Sequence, residues 1–187
     1  MKVGAYIMKK VKKFICTVLV LLTVTIIVTD TFQVPVQAAK TVSAKKIEHF
    51  RKCPNIKKKG NYKVVCKCKT NMIRFTAPKN GTYTFTFYNF RNLNKKLSDN
   101  EDYGHVMLQK MDKQGFYFWQ AKTNGGKWFS LHMASKKVYN KYFRGKKVTK
   151  DSYLCSRYAK VKLRKGETLY IDSDWTTSKY QYTMKIK

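Results

Sequence analysis

Ile73-Arg74-Phe75-Thr76-Ala77-Pro78-Lys79-Asn80-Gly81-Thr82-Tyr83-Thr84-Phe85-Thr86-Phe87 is the stretch on which the fold turns. To its left Ile73 and Phe75 alternate with Arg74 and Thr76; to its right Tyr83, Phe85 and Phe87 alternate with Thr82, Thr84 and Thr86. A period of two puts the apolar groups on one face of an extended chain and the polar groups on the other, as a strand with one buried face requires. Between the runs, Pro78 cannot donate to a ladder, and Asn80-Gly81 is the strongest short signal for a hairpin. The reading is two strands folded back on each other.

The same alternation extends in both directions. In residues 63–69, Val64, Cys66 and Cys68 share one side while Lys63, Lys67 and Lys69 share the other. Residues 106–111 and 116–119 flank Asp112-Lys113-Gln114-Gly115 as a second hairpin, and Asn124-Gly125-Gly126 turns into residues 127–133. Residues 134–151 are basic and fit a short helix or a long loop equally. Ala159, Val161 and Leu163 then alternate with Lys160 and Lys162, Lys165-Gly166-Glu167 makes a turn, and Leu169 and Ile171 follow inward. In the last run Tyr182, Met184 and Ile186 point in, with Lys185 and Lys187 out. About eight short strands without a long helix predict an all-β chain, an antiparallel β-sandwich of jelly-roll-like form.

Two of these stretches are similar to a known family. Residues 73–85, with Phe75, Pro78, Gly81 and Tyr83-Thr84-Phe85, resemble the first hairpin of bacterial pre-peptidase C-terminal domains. Val161-Lys162-Leu163-Arg164-Lys165-Gly166-Glu167-Thr168-Leu169-Tyr170-Ile171, followed by Tyr180-Gln181-Tyr182-Thr183-Met184, resembles that family's closing strands. The resemblance covers about residues 72–187 and fades between Gly115 and Tyr153, where the family's acidic metal positions are not recognisable. It implies a secreted accessory β-sandwich used for binding or stability.

The N-terminal region has a different character. Lysines at 2, 9, 10, 12 and 13 precede a run without charge over residues 14–28. That run is too short for a bilayer, which needs about 20 apolar residues, and matches a signal peptide over 1–38 cleaved after Ala38, with Ala39 the near alternative. Cys16 lies at the start of the run rather than its end, which argues against a lipid anchor. The expected organisation is a leader over 1–38, a basic extended arm over 39–61 and one sandwich domain over 62–187. Export predicts a secreted, extracellular or cell-surface location.

Charge gives the functional reading. The sequence holds 40 Lys plus Arg against 10 Asp plus Glu, a formal +30. A potential this large attracts polyanions, and lysine, a hydrated point charge, attracts without reading sequence. The outward bases Lys63, Lys67, Lys69, Lys160, Lys162, Arg164, Lys185 and Lys187 would merge into one plate if their strands share a sheet, extended by loop bases such as Lys136, Lys137, Lys141, Arg144, Lys146, Lys147 and Lys150. The expected partner is an anionic polysaccharide or wall polymer; charge alone would also admit a membrane surface or extracellular nucleic acid. Tyr117, Trp119, Trp128 and Trp175 are candidate stacking platforms for sugars or bases.

Four cysteines survive cleavage, Cys53, Cys66, Cys68 and Cys155, and an even count in an exported chain predicts two disulfides. Cys66 and Cys68 lie two apart on one strand and pair poorly with each other, so the options are 53–66 with 68–155 or 53–68 with 66–155. No cofactor is implied. For metals, Cys66-Lys67-Cys68 lacks zinc spacing, and Asp99, Glu101, Asp102, Asp172 and Asp174 are the acids that could gather around Ca²⁺. His49, His105 and His132 fall in no metal or catalytic spacing, so the leading reading is non-catalytic. A secreted hydrolase or nuclease and a structural or inhibitory protein-binding module are the alternatives.

Overall fold

The computed structural model describes residues 38–94, 102–121, 130–149 and 151–187, the side chains of 118–120 excepted. The leader expected over 1–38 lies outside these residues apart from Ala38, as do Asp99, Glu101, Trp128, Lys150 and the Trp119 side chain. The strands, in chain order, are β1 (Lys40–Ser43), β2 (Lys45–Lys46), β3 (Asn55–Ile56), β4 (Gly60–Cys66), β5 (Thr70–Thr76), β6 (Gly81–Asn92), β7 (Tyr103–Met111), β8 (Tyr117–Gln120), β9 (Ser130–Ala134), β10 (Ser156–Leu163), β11 (Thr168–Trp175) and β12 (Tyr180–Ile186). They form a five-stranded sheet in the order β1-β4-β12-β6-β10 and a seven-stranded sheet built on β2-β5-β11-β7-β8, with β3 beside β5 and β9 beside β7.

The protein is therefore an all-β sandwich, with twelve strands among the described residues where alternation predicts about eight. The additional strands come mainly from residues 39–61: β1 pairs parallel with β4, β2 antiparallel and β3 parallel with β5. Strands of two residues carry no periodicity to read. Residues 136–143, undecided between helix and loop, form a short helix Lys136–Val138 that continues as a π-type turn, capped by Ser135, whose Oγ accepts from Val138 N. No helix among the described residues is long and apolar enough to cross a membrane.

The hairpin expected at Asn80-Gly81 is not one. β5 belongs to the seven-stranded sheet and β6 to the five-stranded sheet, so residues 77–80 carry the chain from one layer to the other. A type I′ hairpin needs φ > 0 at both central residues, and neither Asn80 nor Gly81 has it. The crossing is instead stitched to the equivalent crossing between β10 and β11: Gly166 N donates to Ala77 O (2.8 Å), Ala77 N to Glu167 O (2.9 Å) and Lys165 N to Asn80 Oδ1 (2.7 Å). The second expected hairpin does form, β7 pairing with β8. Its turn is closed by Asp112 Oδ1, which accepts from Gly115 N and Phe116 N.

Between the layers, Phe75 meets Tyr83 and Phe85 edge-on at ring separations of 5.0 and 5.4 Å. At the other end, Phe90 stacks on Trp175 (4.6 Å) and Tyr182 (4.8 Å). Trp175 also lies on Gly104, where an added Cβ would collide with the indole and with the Asp174 carbonyl oxygen.

The two predicted disulfides do not form: Cys53, Cys66, Cys68 and Cys155 are all free thiols. Both pairings required Cys155 to reach Cys66 or Cys68. Cys155 immediately precedes β10, and Cys66 ends β4, three positions away in the sheet; at about 4.8 Å per strand that is roughly 14 Å, against about 7 Å or less between the Cα atoms of a bridged pair. Cys66 faces the core beside Ser173 Oγ, and burial pushes its thiol up to about 12.

Candidate polyanion-binding face

In the five-stranded sheet the inward positions are filled by Tyr62, Val64 and Cys66, by Tyr83, Phe85 and Phe87, by Ala159, Val161 and Leu163, and by Tyr182, Met184 and Ile186. Alternation then turns Lys63, Lys160, Lys162 and Lys185 to the opposite face of this one sheet. Register aligns them. Lys63 lies beside Thr183, which lies beside Tyr88 and then Ser156; Lys185 lies beside Thr86 and then Tyr158. Just past β12, the Lys187 backbone exchanges hydrogen bonds with Thr84 (3.0 and 3.1 Å), which is opposite Lys160, and Thr82 is opposite Lys162. The lysines are thus spread across a floor of threonines rather than stacked on one another.

The five strands contain no aspartate or glutamate, whereas β11 of the seven-stranded sheet carries Asp172 and Asp174. Among the described residues the ion pairs are Lys110–Glu167 (2.5 Å) and His105–Asp174 (4.0 Å), neither on the five-stranded sheet. A face whose strands carry one sign of charge is the arrangement that draws in polyanions.

Besides Lys187, three of the eight predicted bases stand apart from the strands. Lys67 and Lys69 lie in the turn after Cys66, because β4 ends there: Cys68, instead of continuing the inward row, donates through its thiol to Asn71 Oδ1 (3.0 Å). Arg164 lies in the turn after β10, where its backbone N donates to Glu167 Oε2 (2.8 Å).

Two features were not read from the sequence. Between Thr183 and Gln181 the β6–β12 register slips, so that Asn89 and Phe90 together face Tyr182, and Asn89 takes φ 54°, the one left-handed non-glycine among the described residues. This bulge reverses the parity of β6: Phe90 enters the core and Arg91 moves to the lysine face. Unbulged alternation would do the opposite, burying a guanidinium at a cost of several kcal/mol and exposing a ring worth about 2 kcal/mol when buried. The left-handed residue costs only about 1 kcal/mol. With the Gln181 amide oxygen turned toward it, Arg91 donates through Nη2 (2.9 Å) and Nε (2.6 Å). The second feature is a depression of about 810 Å³ over the bulge, lined by Lys63, Tyr88, Asn89, Arg91, Lys136 and Gln181 among others, with Cys155 at its side. The one legible signal was the outward threonine row of β6, which leads to Tyr88.

The aromatic candidates divide. Trp175 is a core residue, 1 % exposed. β11 runs farther than its apolar start suggested, and Trp175 shares the inward parity of Leu169 and Ile171; its Nε1 donates to Asp102 Oδ1 (3.0 Å). Tyr117 is exposed on the seven-stranded sheet, where its hydroxyl hydrogen-bonds Asp172 and Gln109.

Of the calcium candidates, only Asp102, Asp172 and Asp174 fall among the described residues. Asp102 also accepts from Asn92 N (3.2 Å), and no group of three His, Cys, Asp or Glu able to hold a metal occurs among the described residues. Asp172 is buried and Gln109 Nε2 donates to it (3.4 Å); burial and the neighbouring Asp174 charge raise its carboxyl to about 7, against the opposing Tyr117 hydrogen bond. Beside it on the outer face of this sheet, His105 contacts Asp174, and its ring stands edge-on to His132 at 6.2 Å; His132 lies 5.0 Å from the Tyr153 ring. Burial lowers the His105 pKa, Asp174 acting against it.

No protein-family model matches the chain, and no curated protein matches it. Among solved structures it is similar to a β-glucosidase from Paenibacillus barengoltzii, with a TM-score of 0.32 and 12% identity over 80% of this chain; the chain spans 13% of that protein's length.

Proposed function

We propose that the protein is a secreted, non-catalytic module, exported by residues 1–38, that holds anionic polymers such as a cell-wall polymer or acidic glycan on the lysine face of its five-stranded sheet. The observation that carries this reading is the sorting of sign: outward lysines on β4, β10 and β12, and no acid in any strand of that sheet. The resemblance to pre-peptidase C-terminal domains fits the same proposal, since such modules are accessory binding domains.

The test is retention on immobilised polygalacturonate, heparin-like glycan, DNA and neutral dextran at rising salt. Counterion release requires the logarithm of affinity to fall linearly with the logarithm of salt, and each face lysine removed lowers that slope by about one. Lys160→Ala with Lys185→Ala should therefore cut the slope by about two, while Lys45→Ala with Lys46→Ala, on the other sheet, alters it less. Equal losses from both pairs, or retention on dextran alone, would reject the face.

The His105–Asp174 contact beside His132 favours a second reading, a hydrolase acting on the opposite sheet. If it is correct, activity on a phosphodiester or glycosidic substrate falls at least about a hundredfold in His105→Ala, as loss of a general acid or base entails. No turnover by the unaltered protein would end that reading.

A further inference from the structure

We infer that the depression over the Asn89–Phe90 bulge is a subsite for one anionic sugar residue, carrying a carboxylate, sulfate or phosphate, with its ring against Tyr88 and its charge against Arg91, Lys63 and Lys136. This inference rests on the proposed polymer-binding face and gives it a point of discrimination.

The bulge is what builds the site. It places Arg91, the one arginine among the outward residues of these five strands, on the cationic face, and Gln181 holds the guanidinium in position. A pre-held guanidinium loses less freedom when it grips an anion, and its fork suits carboxylate, sulfate and phosphate alike. Lys63 from β4 and Lys136 from the helical segment reach the same hollow, and no acid among the described residues lines it. Bulges and left-handed non-glycine residues recur at binding sites because they re-aim side chains at a cost in local strain.

The remaining lining decides the ligand class. A bare polyphosphate would need bases alone. This hollow also offers an aromatic ring, Tyr88, and the neutral groups of Asn89, Gln181 and Thr183, which can hydrogen-bond hydroxyls. A volume of about 810 Å³ is within the range of small-ligand sites, about 300–1,000 Å³, so one or two sugar units fit while the polymer continues over the lysines.

Cys155 at the side of the hollow is a built-in reporter, and Cys68, in the β4–β5 turn, is its control. The full chain is alkylated with iodoacetamide, and the modified peptides are quantified with and without an oligogalacturonate, its neutral methyl ester or inorganic polyphosphate. Oligogalacturonate should slow modification of Cys155 at least about threefold and leave Cys68 unchanged; the methyl ester should protect neither. Arg91→Ala and Tyr88→Ala should each weaken oligogalacturonate binding about tenfold, while Tyr88→Ala changes polyphosphate binding by less than about twofold. If oligogalacturonate is retained with the expected salt dependence but Cys155 is unprotected and Arg91→Ala binds normally, the subsite is wrong and the face stands. If no anionic polymer is retained at low salt, both fall.

Discussion

Asp172 is a carboxyl whose fold opposes its charge. It is 3 % exposed, and its pKa rises from 3.8 to about 7 through burial first and the Asp174 charge second. The folded chain therefore keeps this proton over a range in which the unfolded chain has released it. Stability contributed by the neutral carboxyl is complete below about pH 4, declines as pH rises, and is gone above about pH 7, at up to 1.4 kcal/mol per unit. Asp172→Asn should flatten this slope and raise the melting temperature at pH 8, with little change at pH 4; identical profiles for the two proteins would refute the assignment. Its burial was not legible: Leu169 and Ile171 mark the inward parity of β11, and Asp172 has the outward one. What covers that outward face, Met72 from β5 and the Tyr117 contact from β8, comes from elsewhere in the sequence. Trp175 fails in the opposite sense, since continuing the same alternation by two more steps would have placed it in the core.

At the scale of elements, alternation predicted where strands lie and which faces they bury, from Val64 on β4 to Ile186 on β12. It could not assign strands to layers. Phe75 and Phe85 both point inward whether their strands are hydrogen-bonded neighbours or face each other across the core, so the Asn80-Gly81 signal reads as a hairpin in either case. Nor could alternation anticipate the bulge, because a parity reversal looks like a broken pattern at Asn89 until Tyr182 supplies the opposing partner. The segment over 39–61 shows a third gap. It lacks periodicity, yet β1 edges the five-stranded sheet and β2 and β3 cover β5 of the other. Deleting residues 39–56 should leave the outer sides of β4 and β5 unpaired, and unpaired edges recruit other chains. Light scattering of the truncated protein is expected to show association at concentrations where the intact protein stays monodisperse; a monomeric, equally stable truncate would show that the arm is dispensable.

At the scale of the whole molecule, the formal charge of +30 was plain from composition, and the lysine rows from alternation. That the rows share one sheet is a product of strand order, which the sequence does not display. The same strand order keeps Cys155 away from Cys66 and Cys68, where a count of cysteines suggested bridges. With four free thiols, a reductant should leave the thermal midpoint unchanged within about 1 °C. Opening a loop of almost ninety residues would instead cost about 4 kcal/mol and lower the midpoint by roughly 10 °C or more, so a shift of that size would reinstate the bridges.

The last strand, β12, is also the middle of its sheet, pairing with β4 on one side and β6 on the other. A ribosome delivering this chain from its amino end releases that keystone only after every flanking strand has emerged. The cationic layer thus closes only once β12 has emerged, after the strands that it joins.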